Sequence, residues 1–305
     1  MPEVVLAVDL GGTNLRMAAV DREGSVLHLV KRPTPDGVTG EQLAGLFAEM
    51  GAENAAATGN SFLAIGIGVP GNVLTSGVVH RLPNIPTLEG VDLKSVVSEK
   101  FDIPVVLDND ATAAAIGERW LGASKGIYDS ILITLGTGVG GGVIVKGEPL
   151  RGPDGGAGKL GHICVEPDGH PCGCGSHGCI EQYASATAMV RMACEAGLKV
   201  SNSRELYEKW QRGDKTANAV FESVGRHLGI TLAGLVNTFN PEIIVIGGGA
   251  AAAWDAFIGP LRDEISRRAF KEPVERARIV RTQLGDDAGI LGAARSAFAA
   301  LPTAS

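Results

Sequence analysis

Apolar runs broken by glycine, alternating with longer amphipathic stretches, set the rhythm of this chain. Val4 to Asp9 reads as a buried strand, Gly11-Gly12 as a turn and Leu15 to Val20 as a second strand. Ser25 to Val30 predicts a third, so the chain opens on an antiparallel meander. Gln42 to Met50 places Leu43, Leu46, Phe47 and Met50 at helical spacing. Phe62 to Val69 is again strand-like and closes on Pro70-Gly71, and residues 72–91 read as loop, with Pro83 and Pro86. A helix is expected from Leu93 to Phe101 and a short buried strand over Val105 to Leu107, ending at Asp108. The alanine-rich segment Ala111 to Leu121 predicts a further helix.

The second half begins the same way. Ile131 to Leu135 runs into the glycine cluster Gly136–Gly142, and Val143-Ile144-Val145 follows as a β-branched run. Two strand-like runs joined by glycine predict a tight hairpin, not a strand-to-helix turn. Long helical patterns then cover 182–197, 203–212 and 216–238. A strand from Glu242 to Ile246 leads into Gly247-Gly248-Gly249, followed by a helix over 254–268, a strand near 278–282 and a helix from Ala288 to Ala300. Strands alternating with helices make this an α/β protein. The repeated glycine-turn hairpin (Val4–Val20 and Ile131–Val145) suggests two similar lobes facing each other with a ligand in the cleft between them. The expected division is a smaller N-terminal lobe over 1–120, joined by the C-terminal helix at about 288–305, and a larger lobe over 121–287.

Composition narrows the function. At 305 residues, 45% hydrophobic and 20% charged, the chain lies in the globular range and can bury a large core. A net charge of −7 leaves no basic excess to neutralise phosphates, which argues against a general nucleic-acid or membrane-surface binder. The first apolar run is short and lacks a basic front, so no secretory leader is expected, and no stretch approaches the ~18 apolar residues of a membrane span. Three of five cysteines fall within Cys172–Cys179, which fits a metal site in a reducing compartment better than a disulfide framework; a cytoplasmic location is expected.

Several clusters carry candidate chemistry. In Asp9-Leu10-Gly11-Gly12-Thr13-Asn14 the glycines allow a backbone approach to phosphate, Thr13 adds a donor, and Asp9 would lie near the metal that accompanies a nucleotide; a plain hairpin turn explains the same residues. Gly136–Gly142 resembles a dinucleotide-binding glycine run, but that motif needs a helix directly after it. Asp108-Asn109-Asp110 stands between a strand and a helix. There Asp110 serves either as an N-cap or as a carboxylate that accepts a proton from a substrate hydroxyl. His162, Cys172, Cys174 and Cys179 suit zinc, and four protein ligands would make a closed structural site. His170, His177 and Cys164 compete for the fourth position. Glu181 caps its helix or faces solvent or, if zinc pins the loop at the cleft, binds a sugar hydroxyl. Cys194 is expected to be buried, and Trp120, Trp210 and Trp254 to be packing residues.

Taken together, Asp9–Arg16, Gly66–Gly71, Leu82–Asn84, Asp108–Ala111, Leu135–Gly142, Gly161-His162, Cys172–Glu181 and Asn240–Gly249 resemble the ROK family of repressors, open-reading-frame proteins and sugar kinases. The likeness covers almost the whole chain. It implies the two-lobed actin/hexokinase-like (ribonuclease H-like) ATPase fold and ATP-dependent phosphorylation of a hexose, usually at the 6-hydroxyl, with Mg²⁺. Asp110 would then be the general base, and Asn84, Asn109, Asp110, His162 and Glu181 would contact the sugar. The resemblance places phosphates at Gly11, Gly12, Thr13, Asn14, Thr137 and Gly138, adenosine near Gly248 and Gly249, and structural Zn²⁺ on His162, Cys172, Cys174 and Cys179. A homodimer is also expected.

One position departs from the family pattern. Lys159 stands where the family usually has glutamate, three residues before the motif histidine, and lysine donates but never accepts hydrogen bonds. Glucose is the leading substrate, with mannose or an N-acetylhexosamine as alternatives. A sugar-responsive regulator or a binding-only sensor is the competing class. Regulators of the family carry a DNA-binding segment ahead of the first phosphate motif, and a start at Asp9 leaves no room for one in this sequence.

Overall fold

Strands form wherever β-branched runs end in glycine or a cap, and two sheets of matching design result. The computed structural model describes residues 3–82 and 84–302. The first sheet uses β1 (Val4–Leu10), β2 (Asn14–Asp21), β3 (Val26–Pro33), β4 (Ile65–Val69) and, beyond a small hairpin of β5 (Asn72–Val73) and β6 (Val79–His80), β7 (Val105–Asn109). Its order is β3-β2-β1-β4-β7, antiparallel through the meander and parallel beyond it. The second sheet uses β8 (Ser130–Leu135), β9 (Val139–Val145), β10 (Glu148–Pro149), β11 (Ile243–Gly247) and β12 (Arg278–Arg281). Its order, β10-β9-β8-β11-β12, repeats the same arrangement, as the paired hairpins predict.

Helices cover the sheets. α1 (Gly40–Thr58) and α2 (Leu93–Ser98) bury Leu43, Phe47, Met50 and Val97 against one face of the first sheet. α1 begins at a capping box in which Thr39 and Gln42 bond reciprocally. α3 (Asp110–Leu121) packs Ala114, Ala115 and Ile116 on the second sheet. The following elements are α4 (Glu181–Ala184), α5 (Ala186–Glu195), α6 (Ser203–Gln211), α7 (Lys215–Phe239), α8 (Trp254–Arg268) and α9 (Lys271–Arg276). They gather around Phe221, Leu228, Phe257 and Leu261 on the outer face of that sheet. α10 (Ala288–Ala299) returns to the first sheet, where Ile290, Ala294 and Ala297 meet Val5, Ala7 and Ala18. α3 and α10 therefore run together between the sheets. Their approach requires glycine, because a methyl group on Gly292 would run into the Ala113 carbonyl and one on Gly117 into that of Ala288.

Four expectations change. The pattern over 182–197 is two helices, broken at Ser185, whose hydroxyl accepts the Ala188 N–H and caps the second. The 72–91 stretch holds the β5–β6 hairpin and a 3₁₀ turn; Pro83 lies outside the described residues. Asn109, not Asp110, caps α3, its side-chain oxygen accepting from Ala111 and Thr112. Cys194 is exposed, on the outer side of α5 with its thiol toward the Val200 carbonyl. The tryptophans pack as expected, Trp120 beside α10 and Trp210 and Trp254 on the larger core. No helix among the described residues is long and apolar enough to cross a membrane.

Candidate active site

Register brings three chemistry-bearing positions level at the carboxyl ends of the parallel strands. Asp9 pairs with Gly68, and Gly68 with Asp108, so Asn109 and Asp110 emerge beside the first glycine turn. Ligands of open α/β sheets collect at such strand ends.

Asp110 opens α3, and its Oδ1 accepts from the Ala111 N–H and from Asn109 Nδ2, both at 2.8 Å. The residue is open to the crevice, yet protein surrounds it on its other sides. Burial pushes its carboxyl above the ordinary aspartate range and the nearby Asp9 charge adds to this, against the Ala111 N–H, Lys159 and Asn109. Asn109 Nδ2 also donates to the Gly71 carbonyl at 2.8 Å, and Lys159 Nζ reaches the same oxygen at 2.9 Å. Lys159 is half-buried; burial lowers its pKa and Asp110 works to raise it. Asp9 is held by Arg16 at 2.9 Å, its cross-strand partner in the β1–β2 register. The N–H of Gly11 closes its own turn on Asn14 at 2.9 Å, leaving Gly12 and Thr13 at the tip. Gly12 lies against Asn84, whose Cβ would be 2.5 Å from an added methyl.

On the second sheet the hairpin closes through Gly136 N–H to Gly138 O at 2.9 Å, with Thr137 exposed. No helix follows; β9 does, so the dinucleotide-binding reading is excluded as expected. Gly248, at φ +85°, fits against the end of β8 at Leu135, which sets Gly248 and Gly249 beside this hairpin.

A ring nitrogen of His162 and the Cys172, Cys174 and Cys179 sulfurs lie within 4.8 Å of one another, a donor set that suits tetrahedral zinc. Burial, with neighbouring thiols, pushes Cys172 and Cys179 upward; a divalent cation is what lets such thiolates share one site. His170, His177 and Cys164 stay outside the cluster. Cys172 Sγ also lies 3.8 Å from Glu181 Oε1, and Glu181 Oε2 accepts the Val139 N–H at 3.0 Å. One carboxylate thus joins the His/Cys cluster to the glycine hairpin.

Neither Arg16 nor Arg151 stands out by residue type, and both organise the site. Arg151 forks onto buried Asp108 at 2.8 and 3.1 Å, and Ser296 of α10 donates to the same carboxylate at 2.6 Å. The strand pairing of Asp9 with Arg16 carries a usable signal in the sequence; the Asp108 contacts, 43 and 188 residues away, carry none.

The geometry matches known proteins. The ROK family model matches residues 5–299. A glucokinase from Thermotoga maritima is 36% identical over 310 residues, covering 96% of this chain and 97% of its own. The crystal structure of a ROK hexokinase from Thermus thermophilus superposes with TM-score 0.86 at 36% identity, covering 97% and 98% of the two chains. A ROK family glucokinase from Streptomyces griseus, in complex with glucose and AMPPNP, gives TM-score 0.80 at 35% identity, covering 97% and 99%. Xylose repressors also match this chain.

Proposed function

This chain belongs to the ROK family, and from that footing we propose that it is an ATP-dependent hexose kinase of the glucokinase type. The observation that carries the proposal is Asp110, a carboxylate just past the end of β7, with Asp9 of the first glycine hairpin near it and Gly140 of the second against its neighbour Ala111. Asp110 takes the proton of the sugar 6-hydroxyl as that oxygen bonds to the γ-phosphorus of ATP. The bond from γ-phosphorus to the bridging oxygen breaks, and ADP leaves with its electron pair. Asn84, Asn109, His162 and Glu181 orient the sugar. The Gly11–Asn14 turn, Thr137 and Gly138 receive the phosphates, and Gly248 and Gly249 border the adenosine. Asp9 would lie near the Mg²⁺ that accompanies the nucleotide, which would supply charge neutralisation at the phosphates. His162, Cys172, Cys174 and Cys179 would hold Zn²⁺, which would supply a rigid brace for the loop.

His162 divides its ring between these tasks. Nδ1 faces Cys172 at 3.6 Å, and among the described residues Nε2 makes no hydrogen bond, so it is available to the sugar. Glu181 joins the same arrangement through Val139. Phosphoryl transfer needs positioning and charge stabilisation more than covalent chemistry, and these groups provide it. The lobes of the proposal are 1–120 with the C-terminal helix, and 121–287. A homodimer and a cytoplasmic location complete it, the latter suited to close, reduced thiols.

The test is ADP release by purified protein with Mg-ATP and a sugar panel. Turnover on glucose is expected, and mannose and the N-acetylhexosamines define the alternatives. No turnover on any of them rejects the kinase. Sugar binding without turnover supports the sensor reading, which the family's repressors motivate.

A further inference from the structure

We propose that Lys159 acts as a charge filter on the acceptor sugar, admitting neutral or anionic hexoses and turning away those that carry an ammonium group. The inference rests on the reading of the crevice as a hexose site.

Lys159 lies just ahead of the Leu160–His162 turn, on the connection that leaves β10 of the second sheet. Its ammonium reaches the carbonyl of Gly71, in the turn just past the end of β4, at 2.9 Å. Gly71 reaches this position at φ +90°, and its carbonyl also takes Asn109 Nδ2, which bonds to Asp110 in turn. Ammonium and candidate base are therefore joined through one polar cluster, with the Gly71 carbonyl and the Asn109 amide between them. An ammonium has three protons. One is used on Gly71, and among the described residues the other two make no hydrogen bond, which leaves them for a ligand that brings acceptors.

The charged groups around it come from every neighbouring element. Asp110 faces it from α3, and Asp9 stands behind from β1, already held by Arg16 of β2. Glu181 of α4 is tied to Val139, and His162 sits one turn further along the same connection. Lys159 thus offsets Asp110, as Arg16 offsets Asp9, and keeps the sugar's surroundings from becoming strongly anionic. A hexose is smaller than the ~8 Å over which charges act at physiological salt. A charge anywhere on the sugar therefore feels Lys159, whichever way the ring is turned. Half-burial strengthens the effect by limiting screening.

The experiment compares wild type, Lys159→Met and Lys159→Glu. Glucose and glucosamine are measured by calorimetric binding and by ADP release, at pH 6, where the amine is protonated, and at pH 9, where it is largely neutral. The glucosamine-to-glucose affinity ratio at pH 6 is expected to rise from wild type to Met to Glu, by about tenfold or more across the series. The differences are expected to collapse at pH 9, which a purely steric role of the side chain would not produce. A ratio unchanged across the three proteins, or one that shifts equally at both pH values, overturns the filter. Binding without ADP release rejects the kinase reading alone and leaves the filter to be judged on the affinities. Failure of both sugars to bind any of the three proteins overturns both.

Discussion

The Glu118 carboxylate accepts the backbone N–H of Leu284 at 2.9 Å across 166 residues of chain. It also takes the N–H groups of Ala123 at 2.6 Å and Gln283 at 3.1 Å, and the Thr282 hydroxyl. Ala123 belongs to the segment that leaves α3 for the second sheet, and residues 282–284 to the segment that returns to α10. One fully buried side chain thus ties both crossings together. A carboxylate is suited to the place because it only accepts, and every partner here donates.

Glu118→Gln is therefore expected to destabilise the fold. The amide turns an N–H₂ toward backbone N–H groups and leaves buried donors unpaired, at a cost of about 1–3 kcal/mol each. For a chain of this size the expected fall in melting temperature is about 5–10 °C. A thermal melt unchanged by the substitution would show that water replaces these bonds at no cost.

Close approach of α3 and α10 gives a second prediction, one that separates neighbouring glycines. A methyl group on Gly292 meets the Ala113 backbone, which has no means of moving aside without parting the helices. On Gly289 it would stand 3.6 Å from the Asp9 carboxylate, an ordinary contact. Gly292→Ala should lower stability by about 1–3 kcal/mol or more, as overpacking does, whereas Gly289→Ala should be close to neutral in the same denaturation assay. Equal effects would mean that the helices separate freely.

These relationships mark where sequence is and is not legible. The two hairpins could be read because β-branched runs flank glycines, and their repetition already implied two similar lobes. The His/Cys cluster was legible because its four members fall within 18 residues and only certain side chains bind zinc. The β5–β6 hairpin went unread because strands of two residues have no period, and α9 because it buries none of its side chains. Asp108 with Arg151, and Glu118 with Leu284, were invisible for a different reason. Their partners are set by how distant elements meet, and nothing local in Asp or Glu names the donor.

The cluster of His162, Cys172, Cys174 and Cys179 makes a third prediction. Purified protein should hold about one zinc per chain, and Cys172→Ser with Cys174→Ser should remove it, because hydroxyls do not replace thiolates as ligands here. Chelation should lower the melting temperature together with activity, since Glu181 links the cluster to the Val139 end of the glycine hairpin. A protein free of metal and fully active would refute both the ligand set and the link.

Asp110 makes the fourth. Burial holds its carboxyl above the usual range, so the acid limb of kcat/KM should lie above the ordinary aspartate value of ~4. A carboxyl whose folded pKa is raised binds its proton more tightly in the folded chain. It supports the fold below the unfolded pKa and loses that contribution as pH rises through the folded one. At pH 7 the ionised group works against folding. Asp110→Asn keeps an oxygen for the Ala111 N–H while removing the charge, so the variant should melt at the same temperature or higher. Its turnover should fall by about 10²- to 10⁴-fold, the range that general bases contribute. Loss of activity accompanied by loss of stability would show Asp110 to be a structural residue at the head of α3. An active, stable variant would move the proton acceptor elsewhere in the crevice.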